Sequence, residues 1–169
     1  LYFEIYNSSD NIDLSPISGL TELTVLSLRG NVASLQPLAG LSKLETLTIY
    51  NGNSNYHALE DLGGLEGLTG LKFLTLNIVG NVKDFTPISH LAKLTSLQLS
   101  GQFSTEDLSF LSGLTELKEL TLNGNHALMS SLRGLESLTQ LQTLEIDCQG
   151  LASLKGVENL TNLRTLNIY

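Results

Sequence analysis

The chain has 169 residues, of which 41% are hydrophobic and only 15% charged, a composition that suits one domain with a continuous apolar core. Seventeen acidic residues against nine basic ones give a net charge of −8, which disfavours nucleic acid as a partner because phosphate backbones are repelled. No apolar run approaches the roughly 18 residues of a membrane-spanning helix, so we expect no direct membrane insertion.

A leucine pattern recurs along the whole chain. In residues 114–125, LTELKELTLNGN, the alternation across Leu120, Thr121 and Leu122 predicts a short strand with both leucines on one face. The first inward residues of the successive strands lie 21 to 27 residues apart and are Phe3, Leu26, Leu47, Leu74, Leu97, Leu120, Leu144 and Leu166. This period indicates leucine-rich repeats. We therefore predict an α/β solenoid, a right-handed horseshoe or arc with one parallel β-sheet on its concave face.

The segments between strands predict short 3₁₀ or single-turn helices on the convex face. Their apolar residues recur every third position, as in Leu35, Leu38, Leu41 and Leu44, and i and i+3 eclipse in a 3₁₀ helix. Prolines stand near the start of three such segments, where a missing N–H costs least; they are Pro16, Pro37 and Pro87. Residues 104–107, Ser-Thr-Glu-Asp, predict a cap and the first turn of another helix.

The repeats occupy the whole chain, so we expect a single leucine-rich-repeat domain over residues 1–169, with about eight strands. Both ends of the sequence fall within strands, which predicts terminal repeats without polar caps and a longer parent chain. Two irregular loops, residues 51–61 and 77–84, are predicted where strands end, a place where binding loops are often found.

Residues between the inward leucines form three rows across the concave face, spaced by roughly 4.8 Å per strand. The first row is Tyr2, Val25, Thr46, Phe73, Ser96, Glu119, Thr143 and Thr165. The middle row is Glu4, Ser27, Thr48, Thr75, Gln98, Thr121, Glu145 and Asn167. The third row is Tyr6, Arg29, Tyr50, Asn77, Ser100, Asn123, Asp147 and Tyr169.

Two groups in these rows are candidates for ligand binding. Tyr6, Arg29 and Tyr50 are successive members of the third row, and aromatic rings with arginine are common at binding hot spots. The alternative is that they pack on one another as cross-strand pairs. The candidate ligand-binding residues on the concave face are Tyr6, Arg29, Tyr50, Phe73, Asn77, Gln98, Glu119, Asn123, Glu145 and Asp147.

The second group is acidic. Glu119, Glu145 and Asp147 lie on adjacent predicted strands and indicate a surface for a basic partner, or solvated charges. Three carboxylates also serve in Ca²⁺ sites and in acid–base catalysis, but no loop here has metal-ligand spacing. The three histidines fall in separate repeats, and Cys148 is interpreted as a turn-packing residue and not as a nucleophile. We expect no catalytic residues, no cofactor and no metal.

The repeat unit resembles the internalin-type repeats of Gram-positive bacterial surface proteins. The closest segments are IDLSPISGLTEL, ASLQPLAGLSKL and KDFTPISHLAKL. The resemblance implies a non-enzymatic module of a cell-surface or secreted bacterial protein, binding a protein ligand (a host or cell-surface protein) or a glycan through the concave sheet. The alternative is a cytoplasmic adaptor resembling the leucine-rich-repeat regulatory subunits of phosphatases. The asparagine of the family's turn occurs here at Asn31 and Asn125, so no regular asparagine ladder is predicted.

Overall fold

The computed structural model describes residues 2–4, 11–51, 59–103, 105–125, 129–148 and 150–169. Eight parallel strands pair in chain order and form one sheet. The strands are β1 (Tyr2–Glu4), β2 (Val25–Arg29), β3 (Thr46–Tyr50), β4 (Phe73–Val82), β5 (Ser96–Phe103), β6 (Glu119–Asn125), β7 (Thr143–Ile146) and β8 (Thr165–Ile168). The predicted solenoid with a single parallel sheet is confirmed.

The core lies directly beneath this sheet. Alternation along each strand sends every second side chain inward, and the stacked leucines of neighbouring repeats then cover one another. The inward residues of β5, β6 and β7 that face the core are each no more than 1% exposed; they are Leu97, Leu99, Leu120, Leu122, Leu144 and Ile146. The predicted stacked core is therefore present.

In the described residues, five 3₁₀ helices lie on the convex side of the core, as the three-residue spacing predicted. They are η1 (Ser15–Ile17), η2 (Gln36–Leu38), η3 (Leu65–Gly67), η4 (Thr86–His90) and η5 (Ser109–Leu111). Pro16, Pro37 and Pro87 lie in the first turns of η1, η2 and η4. The fifth helix begins later than residues 104–107 predicted, because Asp107 stands outside it and accepts a hydrogen bond from the Ser109 N–H at 2.9 Å.

A second kind of convex turn contains Gly-x-Glu. The N–H groups of Gly64, Gly134 and Gly156 each donate to the carboxylate two residues on, at 2.8, 2.7 and 2.7 Å. All three glycines have positive φ, between 101° and 117°. A Cβ at Gly134 would also collide with the backbone of Leu108 in the preceding repeat. Glycine thus permits both the turn and the close approach of two repeats.

The structure corrects two details of the predicted strands. In β1, Phe3 pairs with Leu28 and Glu4 with Arg29, whereas the repeat alignment placed Phe3 beside Leu26. A shift of two residues leaves every side chain on the same face, so the alternation pattern could not detect it. The loop predicted at 77–84 is largely strand, because β4 continues to Val82 with a register irregularity after Ile78. Of the loop predicted at 51–61, residues 52–58 lie outside the described part.

The inward residues of β8 are more exposed to solvent than those of β7. Leu166 and Ile168 in β8 are 40% and 36% exposed, whereas Leu144 and Ile146 in β7 are fully buried. Among the described strands β8 has only β7 beside it. No helix in the described part of the chain is long and apolar enough to cross a membrane.

Candidate ligand-binding face

The three concave rows are confirmed from β2 to β8 by the strand register. Val25 pairs with Thr46, Thr46 with Phe73, and the matches continue through Ser96, Glu119, Thr143 and Thr165. The last third-row pair is held by backbone bonds. The Tyr169 N–H donates to the Ile146 carbonyl at 3.0 Å, and the Cys148 N–H donates to the Tyr169 carbonyl at 3.1 Å, which sets Asp147 opposite Tyr169.

Large apolar side chains are exposed on β2, β3 and β4. Val25, Tyr50 and Phe73 are 46%, 45% and 49% exposed, while the adjacent inward residues Ile49 and Leu74 are 1% exposed. Tyr50 and Phe73 lie on neighbouring strands and four residues apart along them, so their Cα atoms are separated by roughly 14 Å. We call Val25, Tyr50 and Phe73 the apolar end of the concave face.

The predicted stack of Tyr6, Arg29 and Tyr50 is altered by the register of β1. Arg29 pairs with Tyr50 as predicted, but its neighbour in β1 is Glu4. Tyr6 itself lies outside the described residues. In the sheet, Arg29 therefore pairs with Tyr50 on one side and with Glu4 on the other. The residue of β1 beside Arg29 is a carboxylate residue and not the predicted second tyrosine.

The middle row forms a polar floor between the outer rows. Its members from β2 to β6 are half-buried and are Ser27, Thr48, Thr75, Gln98 and Thr121. Among the other candidate residues, Asn77 is half-buried beside Tyr50, and Asn123 is exposed on β6. No aromatic side chain interrupts this floor between β2 and β6.

The carboxylates lie together at the other end of the sheet. Glu119 is exposed on β6, and Glu145 and Asp147 are half-buried on β7 and just beyond it. The Asn167 amide on β8 donates to Glu145 Oε1 at 3.1 Å. Within the described residues, no three His, Cys, Asp or Glu side chains are placed to hold a metal ion. We call Glu119, Glu145 and Asp147 the acidic end.

Two buried side chains link neighbouring repeats; sequence reasoning missed the role of Asn51 and interpreted Cys148 as a turn-packing residue. Asn51, 8% exposed, accepts a hydrogen bond from the Val32 N–H at 2.8 Å and donates to the Val32 carbonyl at 3.2 Å. Cys148 stands at the matching position after β7, and its thiol donates to the Met129 carbonyl at 3.4 Å. This contact suits the predicted turn-packing role of Cys148. The available signal was a polar residue directly after the strand.

An open polar cleft of about 340 Å³ lies away from the sheet. It is lined by Glu106, Asp107, Ser130, Ser131 and Arg133. Asp107 already caps η5, and hydrogen bonds from the Ser109 backbone N–H and hydroxyl, with a smaller contribution from Arg133, hold the pKa of its carboxyl below the usual value. Asp107, one of the lining residues, is thus already engaged in hydrogen bonds that cap η5.

Comparison with known proteins shows the fold. No protein-family model and no curated protein matches the chain. Solved structures do match, among them three from Listeria monocytogenes. An internalin, InlF, is 24% identical over 93% of this chain and 59% of its own, with a TM-score of 0.54. Internalin C2 is 24% identical over 90% of this chain and 74% of its own, with a TM-score of 0.59. The functional domain of InlJ, which includes a cysteine ladder, is 19% identical over 94% of this chain and 36% of its own, with a TM-score of 0.57.

These matches confirm, at the level of the fold, the resemblance that the repeats predicted. The chain has a leucine-rich-repeat arc like those of the internalin structures. It spans 59% of the length of InlF and 36% of that of InlJ.

Proposed function

We propose that this chain is a non-enzymatic interaction module whose concave sheet binds a protein ligand at its apolar end. One observation carries the proposal: Tyr50 and Phe73 are 45% and 49% exposed on the same face of the sheet. Aromatic side chains bury about 150–250 Å² each when covered. Covering the exposed half of each ring would contribute about 2–3 kcal/mol at ~25 cal/mol per Å².

The chemistry of the rows supports binding more than catalysis. Apart from Arg29, the concave residues paired with Tyr50 and Phe73 have hydroxyl or amide side chains, which orient a ligand by hydrogen bonds. A glycan is the second candidate ligand, because Asn77 pairs with Tyr50 in the sheet and an amide beside an aromatic ring suits a sugar.

The proposal is tested with immobilised panels of purified extracellular protein domains and of glycans. Each ligand that binds the native chain is titrated against Tyr50→Ala and Phe73→Ala. We expect each substitution to weaken binding at least tenfold and to leave the melting temperature nearly unchanged, because half-exposed rings contribute little to the core. Which panel yields the ligand separates protein from glycan.

Two convex-side substitutions are the controls. Lys93→Ala removes an exposed side chain, and Lys43→Ala removes only an exposed ion pair with Glu22. Neither should change binding or stability. Equal losses of affinity from the concave and convex substitutions would contradict the proposal.

We also propose that the module works at a bacterial cell surface or after secretion. The support is the likeness to internalin domains in fold. Brief protease treatment of intact cells of the source organism is the test: removal of the chain from intact cells is expected, and complete protection until lysis would favour the cytoplasmic adaptor instead.

A further inference from the structure

Charge is unevenly distributed over the concave face. Of the nine Lys and Arg residues only Arg29 stands in the three rows, and it lies on β2. The later strands carry all three carboxylates of the acidic end, with no Lys or Arg in the rows of β5 to β8. Lys118 and Arg164 stand one residue before β6 and β8; both are exposed, but they lie outside the three rows.

The apolar and acidic ends are joined by the polar floor. Phe73 and Glu145 are three strands apart, and Tyr50 and Asp147 four, which gives about 14 and 19 Å at ~4.8 Å per strand. The floor between them carries Thr75, Gln98 and Thr121, all half-buried. An extended segment of five or six residues covers this distance at ~3.3 Å per residue.

We infer that the ligand is a protein segment with an apolar cluster at one end and Lys or Arg at the other, lying across the strands. Its apolar cluster covers Tyr50 and Phe73, and its basic end meets Glu119, Glu145 and Asp147. This inference rests on the proposed function and specifies the ligand class and its orientation. The exposed apolar end supplies the contact area, and charge complementarity at the acidic end selects the partner and its direction.

The probes are synthetic peptides of stated composition. The first carries two leucines and a phenylalanine, a six-residue Gly-Ser spacer and three lysines. The second replaces the lysines with glutamates, and the third replaces the apolar cluster with serines. Each is also made with the order of its blocks reversed, since the chain direction of the ligand is open. Affinities are measured by calorimetry at low and at physiological salt.

We expect the apolar–lysine peptide to bind at least tenfold tighter than the other two and to weaken with salt. Phe73→Ala should reduce its affinity, and so should the combined change Glu119→Gln, Glu145→Gln and Asp147→Asn. The matched control is Glu60→Gln, Glu106→Gln and Glu116→Gln, which removes the same charge from exposed positions outside the rows and should leave binding intact.

Three results would overturn the inference. If the lysine and glutamate peptides bind equally and both depend on Phe73, the acidic end selects nothing, although the proposed function stands. If both triple variants lose affinity equally, the attraction belongs to the net charge of −8 and not to the concave face. If no peptide binds, a segment of this chemistry is not the ligand, and the panel of protein domains tests the proposed function independently.

Discussion

At the scale of single residues, the turns are stabilised by side chains that satisfy specific backbone groups. Asn51 pairs with both the N–H and the carbonyl of Val32, in the turn of the preceding repeat. Asp and Ser residues cap the convex turns in a similar way, as Asp84 does for Thr86 and Ser34 for Gln36. The bonds of Asn51 matter most, because they are buried and a buried backbone group without a partner is costly.

Asn51→Ala tests the inter-repeat bond. The substitution leaves the buried Val32 N–H and carbonyl without their side-chain partner, so we expect a loss of about 1–3 kcal/mol in the free energy of unfolding. Urea denaturation measures it. Asn123→Ala is the control, because Asn123 is exposed on the concave face and its removal should change stability by less than about 0.5 kcal/mol. Equal effects at the two positions would contradict the structural role of Asn51.

The aspartate caps predict an acid dependence of stability. Hydrogen bonds from the Thr86 hydroxyl and N–H hold the pKa of Asp84 below its usual value of 3.8. A carboxyl whose pKa is lower in the folded state stabilises the fold fully above its unfolded pKa, and that contribution disappears as pH falls through the folded pKa. The loss therefore lies in the acid range below about pH 4.

Asp84→Ser keeps a hydroxyl acceptor at this turn and removes the titrating group, as Ser34 and Ser153 already do in other repeats. Between pH 6 and pH 3, the urea midpoint should fall less for this variant than for the native chain. Indistinguishable falls would show that the cap does not contribute to the acid response.

At the scale of elements, each strand contributes two inward residues whose burial depends on neighbours on both sides. Leu120 on β6 lies between the equivalent Leu97 and Leu144 and is fully buried. Leu166 on β8 has the same place in its repeat and is 40% exposed. The same residue type at the same repeat position thus has two different environments.

A pair of leucine truncations measures this difference. Leu120→Ala leaves a cavity in a closely packed core and should cost about 2–5 kcal/mol. Leu166→Ala removes a side chain that water already reaches, so the cost should be about 1 kcal/mol or less. Denaturant unfolding of both variants provides the values. A larger loss for Leu166→Ala than for Leu120→Ala would contradict the packing described here.

At the scale of the whole molecule, stability is distributed along one dimension, because each repeat contacts only its neighbours. Strands β4, β5 and β6 are ten, eight and seven residues long and are paired on both sides. Strand β8 has four residues and pairs only with β7 among the described strands. Local opening should therefore be easier at β8 than in the middle of the sheet.

Amide hydrogen exchange followed residue by residue tests this gradient. We expect the amides of Leu97 and Leu99 in β5 to exchange at least about tenfold more slowly than those of Leu166 and Ile168 in β8. Uniform protection across the sheet would show that the chain opens only as a single cooperative unit.

The sequence predicted some parts of the concave face correctly and others not. The rows from β2 to β8 followed from the repeat alignment, and with them the neighbours of Phe73 and Glu119. The register of β1 did not follow, because a two-residue shift leaves the alternation pattern of a strand unchanged. The role of Asn51 was also missed, because its partner Val32 lies 19 residues earlier and belongs to another repeat.

The sequence by itself determined the solenoid, the parallel sheet and the face on which each strand residue lies. Those features depend on period and alternation, which are local properties of the chain. Only the tertiary structure decided that Glu4 pairs with Arg29, that Gly134 lies against Leu108, and that Asn51 bonds to the backbone of Val32. The reason is physical: register, close approach and burial are set by the repeat on the other side of each contact, about twenty residues away in the chain.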